Sequence, residues 1–163
     1  MSAVSPHGDV TTTEREASVR FERTIAAPIE RVWRALTQPD ELAIWLERTS
    51  LDGRVGGAVE IAFDDGPVTG EITAWDPPHA LEFTWIIEGE QPSVVRFELT
   101  TIGDATMLAL HHVRLPRSMN SGYAAGWHAH LDQLEDRLGD RPVRPWSERF
   151  DAVLPDYRRS QAG

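Results

Sequence analysis

The 163-residue sequence has no cysteine. Thiol nucleophiles, zinc–thiolate sites and iron–sulfur clusters are therefore excluded together. Lysine is missing too, since all 16 cationic side chains are arginine, and with it goes Schiff-base and phosphate-loop lysine chemistry. The cations face 26 acids, giving a formal charge of −10. That balance offers nucleic acid no basic stripe. No stretch approaches the ~18 consecutive apolar residues that a membrane-crossing helix requires. The opening residues, MSAVSPHGDVTTTERE, carry neither the basic nor the apolar segment of an export signal. A soluble, cytoplasmic protein without membrane insertion or a nucleic-acid partner is expected. What is present is ordinary for one globular domain: 40% hydrophobic residues, in a chain long enough to bury a core without staples.

Residues 1–16 are polar and aperiodic, and are expected to form a disordered leader. Order begins where Val19, Phe21 and the stem of Arg23 alternate with Arg20, Glu22 and Thr24, as in a strand. Ile29, Val32, Trp33 and Leu36 then recur at helical spacing behind Pro28. Pro39 ends that helix and opens a short second one closed by Trp45 and Leu46. From Gly53 to Arg114 the period becomes two, in runs such as Val59-Ile61-Phe63, Leu81-Phe83-Trp85, Val95-Phe97-Leu99 and Leu108-Leu110-His112. The short links between runs demand antiparallel neighbours. Finally Tyr123, Trp127, Leu131, Leu134 and Leu138 draw one apolar stripe along a long helix. Ser121 is its expected N-cap and Gly139 its expected C-terminal cap. The Pro- and Arg-rich tail 141–163 is expected to pack back on the domain as short helical pieces.

Several local sequences carry a family resemblance: Arg23-Thr24-Ile25 before Ala27-Pro28, the run Arg31 to Thr37, Trp45, Gly56-Gly57, Gly70-Glu71-Ile72, Asp76-Pro77-Pro78, Leu81 to Trp85, Leu108 to His112, and Gly126-Trp127 with Leu131 and Leu134. In this order and spacing the chain resembles the START-like, or helix-grip, proteins of the SRPBCC superfamily, in the branch named after the activator of heat-shock-protein-90 ATPase. The resemblance implies an α+β fold of the Bet v 1 kind over residues 17–140. In it a curved antiparallel sheet wraps around the long C-terminal helix, two short helices follow the first strand, and a cavity lies between sheet and helix. It implies no single reaction. Nothing in the sequence marks a chaperone-binding surface, and heat-shock-protein-90 binding is not expected.

Large rings dominate the positions expected to face that cavity. A core built for stability alone favours Leu and Ile, whereas rings with polar handles suit an apolar pocket. The expected ligand-binding set is Trp45, Phe63, Phe83, Trp85, Phe97, Leu110, His112, Tyr123, Trp127 and Leu131, with Trp45 gating the mouth. His112 reads either as a satisfied core histidine, or as a polar anchor or general base. His128 and His130 lie about 200° apart around a helix and cannot share a metal. No metal or other cofactor is expected. Asp132, Glu135, Asp136 and Asp140 lie off the apolar stripe and read as solvating charge. The expected function is binding of a hydrophobic or aromatic small molecule, with no catalytic residues assigned. One alternative is a cyclase- or hydrolase-like enzyme on a polyketide-type substrate, using His112 and Tyr123. The other is a regulatory or protein-interaction module with a vestigial cavity, favoured by an exposed apolar patch near Trp146 and Phe150. The sequence is compatible with a homodimer without showing one.

Overall fold

In the computed structural model, residues 5–162 are described. Eight antiparallel strands form one sheet in the order β1-β2-β8-β7-β6-β5-β4-β3. The strands are β1 (Asp9–Thr12), β2 (Glu16–Ile25), β3 (Thr49–Leu51), β4 (Ala58–Phe63), β5 (Gly66–Asp76), β6 (Ala80–Trp85), β7 (Ser93–Ile102) and β8 (Ala105–Pro116). Helices α1 (Ile29–Thr37) and α2 (Pro39–Trp45) follow β2. The long helix α3 (Asn120–Leu138) and a further helix α4 (Trp146–Ala162) close the chain.

Alternation along the strands sets the inner face, and register aligns it into rows. One row runs Phe83, Val95, His112, Val19 across β6, β7, β8 and β2. The next runs Leu81, Phe97, Leu110, Phe21. The Tyr123–Leu138 stripe of α3 buries against these rows, as its spacing predicts. Gly56 adopts φ +85°, and a Cβ on Gly57 would lie 1.9 Å from the Asp52 carbonyl oxygen. This pair supplies the backbone relief expected at the entrance to β4.

Three expectations are corrected. The supposed leader contains β1, which pairs with β2 from Asp9↔Arg20 to Thr12↔Ala17; only residues 1–4 of it lie outside the described residues. Ser121 is not the N-cap, because a 3-10 turn at Arg117–Met119 runs directly into α3. Gly139 is the C-cap of α3 as expected, its N–H donating to the Glu135 carbonyl at 2.9 Å, while the positive φ falls on Asp140 at 56°. The tail is one 17-residue helix carried through Pro155 rather than short pieces. Tertiary packing overrides the proline there, since Val153 and Tyr157 on either side are buried.

Candidate functional site

Between the sheet and the first half of α3 the rings meet edge to face. Trp85 lies 5.0 Å from His112, 5.6 Å from Trp127, 6.0 Å from Phe63 and 6.3 Å from Tyr123, centroid to centroid. Phe97 bridges Trp127 at 5.9 Å and Trp45 at 6.5 Å. Phe83 stacks on Trp85, and Leu110 and Leu131 complete the same buried cluster. The ten residues singled out from the sequence are therefore brought together. Phe63 and Tyr123 alone among them are only half-buried, and they form its outer edge.

Every polar atom in the cluster has a partner. Trp127 Nε1 donates to His112 Nδ1 at 2.9 Å, so the imidazole proton sits on Nε2, which faces Ser93 Oγ at 2.7 Å. Ser93 in turn reaches the Trp85 carbonyl at 3.5 Å. Burial pushes the His112 pKa down to about 3, so the ring is neutral. A general base needs a free lone pair. The one on Nδ1 is held by Trp127, and Ser93 faces an N–H rather than an acceptor, so the pair is not an activated nucleophile. At the outer edge Trp85 Nε1 donates to Tyr123 Oη at 3.2 Å, and Tyr123 donates onward to Glu90 at 2.8 Å. Burial and the Glu90 carboxylate together hold the Tyr123 phenol well above its usual range.

Two expectations about this region change. Trp45 does not stand at a mouth: it is 1% exposed and its indole N–H donates to the Ala35 carbonyl at 2.7 Å, tying α2 to α1. The rings also occupy the space that was expected to be a cavity. Two clefts, of about 450 and 330 Å³, lie away from the rings, one at Pro28, Glu30 and Asp104, the other at Arg31, Arg34 and Glu41.

The sequence reading missed Ser93, Glu90 and His130. Ser93 opens β7 directly opposite Trp85, a placement that only register reveals. Glu90 sits in a loop with no periodic signal. His130 lies 6.0 Å from both Phe63 and Trp127 and points Nδ1 at the Trp45 carbonyl, 3.1 Å away. Asp132 and Asp136 are not solvating charge. They are 5% and 2% exposed, and each is held by arginine: Asp132 by Arg23 and Arg149, Asp136 by Arg141 and Arg144. Among the described residues no three potential ligands converge as a metal ion would require, and no helix is long and apolar enough to cross a membrane. Trp146 and Phe150 stack together half-buried and form no exposed patch.

A sheet curled around one long helix, with a ring cluster between them, defines a helix-grip protein. The family model described as "Activator of Hsp90 ATPase homolog 1-like protein" matches residues 26–139, and the chain belongs to that family. CalU16 from Micromonospora echinospora is similar in structure at 25% identity and TM-score 0.75, with 93% of this chain and 92% of that one covered. The protein encoded by BPP1335 from Bordetella parapertussis matches at 30% identity and TM-score 0.72, covering 97% and 94%. DynU16, described as a protein in the dynemicin biosynthetic locus, matches at 28% identity and TM-score 0.70 over 78% of this chain and 49% of its own. Among curated proteins none matches.

Proposed function

We propose that the protein binds a hydrophobic or aromatic small molecule between the sheet and α3, against Trp85, Phe97 and Trp127. The observation that carries this reading is the ring cluster itself. Stability alone gives no reason to bury two indoles, a phenol and an imidazole where aliphatics pack as well. Four polar handles in an otherwise apolar space are what orient a small ligand. The rings pack against one another across that space, so a ligand enters by displacing Phe63 and Tyr123, the half-buried pair at the edge. The occurrence of DynU16 in a biosynthetic locus fits a biosynthetic small molecule as the ligand class. The committed lone pairs of His112 favour binding over turnover.

Native mass spectrometry on gently purified protein tests the reading against the same sample denatured. An adduct of small-molecule mass that vanishes on denaturation is the expected result. A bare polypeptide mass, joined to unchanged indole fluorescence across a panel of polycyclic aromatic compounds, overturns it.

A further inference from the structure

The family match ends at residue 139, and α4 follows it. This helix packs on α3. Its first residue, Trp146, donates from Nε1 to the Gly126 carbonyl at 3.2 Å and lies 5.6 Å from the His130 ring. His130 in turn touches Phe63 and Trp127. The start of α4 therefore covers His130, one ring removed from Phe63 and Trp127.

The far end of α4 is held differently. The Gly8 N–H donates to Tyr157 Oη at 2.7 Å, which leaves the phenol proton for His128 Nδ1 at 2.9 Å. His128 Nε2 then faces Asp132 at 3.6 Å, and Arg149 from α4 reaches the same carboxylate at 2.9 Å. Residues 5–8 form a strap across this seam. The Pro6 carbonyl accepts two hydrogen bonds from Arg23, at 3.1 and 2.7 Å, and His7 pairs with Asp156 at 3.0 Å. A Cβ on Gly8 would lie 2.5–2.8 Å from the Phe21 ring, so the strap seats only with glycine there. Val153 and Tyr157 are the fully buried apolar side chains that α4 contributes among the described residues. Phe150 and Leu154 pack beside them half-buried, so α4 buries far fewer side chains than α3 and ranks below it in local stability.

We propose that α4 is a lid on the ring cluster, latched by the strap of residues 5–8, and that a ligand reaches Phe63 and Trp127 when Trp146 lifts off His130. The proposal rests on the binding reading above. Two measurements on the full chain test it separately from that reading. In hydrogen–deuterium exchange, α4 amides are expected to exchange through an opening that leaves α3 protected, together with residues 5–8. In stopped flow, association of 8-anilinonaphthalene-1-sulfonate is expected to quicken about tenfold in Trp146→Ala, because a larger fraction of molecules is competent. Gly8→Ala, which unseats the strap through its clash with Phe21, is expected to act in the same direction. A Trp146 that served merely as pocket wall would not respond to Gly8. If α4 exchanges only when α3 does, the lid is overturned whatever the dye does. If α4 opens but association is equally fast in all three proteins, it is overturned as well. Dye bound by none of them removes the ring site itself, and the lid with it.

Discussion

Two flanks of α3 bury polar groups by opposite means. Toward β6–β8, the His112 imidazole and the Trp85, Tyr123 and Trp127 handles share neutral hydrogen bonds in a ring-filled space. Toward β2, the strap and α4, Asp132 is buried between two arginines, Arg23, itself 4% exposed, and Arg149. Desolvation neutralises His112, whereas Asp132 is met by guanidinium partners on both sides. The first arrangement tolerates a change of shape, since losing one neutral partner costs about one hydrogen bond. The second does not, because an arginine stranded in the interior has no cheap alternative.

The largest effect is therefore expected at Asp132. Asp132→Ala leaves Arg23 only Glu135 and the Pro6 carbonyl, takes the carboxylate from Arg149, and should cost about 3 kcal/mol in guanidinium denaturation. A loss no larger than that of a ring-cluster variant would erase the distinction between the flanks. Next comes His112→Leu, which orphans the Trp127 N–H and the Ser93 hydroxyl, at about 2 kcal/mol. The same variant sharpens the pH dependence. The folded His112 pKa is about 3 and that of His128 about 4, both below the unfolded value of 6.5. Unfolded chains thus bind more protons in that window. The contribution of each is complete above pH 6.5 and falls away with acid, by on the order of 1.4 kcal/mol per pH unit for each histidine. Urea midpoints measured from pH 7 to pH 4 should show the slope, and His112→Leu should remove one share of it. Gly8→Ala, which unseats the strap, should cost about 1–2 kcal/mol through the lost Arg23 and Tyr157 contacts. Tyr123→Phe is the mildest. Its edge is half-buried, water can replace Glu90, and about 1 kcal/mol or less is expected, with the tryptophan emission reporting the freed Trp85 indole.

The ring cluster was legible because its members sit on periodic elements. Phe83, Trp85 and Phe97 alternate inward, and Tyr123 and Trp127 step by four along α3. Arg23 shares the inward side of β2 with Val19 and Phe21, and its buried position follows from that alternation. Its partners were not legible. An apolar stripe assigns Asp132 and Asp136 to the outside only if that outside is water, and here Arg149 of α4 meets Asp132 and the link before α4 brings Arg141 and Arg144 to Asp136. The strap was missed for a related reason: residues 5–8 have no periodicity, and their backbone is held by Arg23 and Tyr157, far away in the chain.

By itself the sequence determined the antiparallel sheet, the two short helices, the long helix and which rings face inward. These follow from periods of two and 3.6 that a chain carries locally. The tertiary structure alone decided that the rings close on one another rather than around a void. It also decided that His112 has no free lone pair, that Trp45 braces α1, and that Asp132 and Asp136 of α3 are buried under arginines from the chain that follows it. Each of these depends on which side chain from a distant element arrives opposite, and a one-dimensional pattern does not contain that distance.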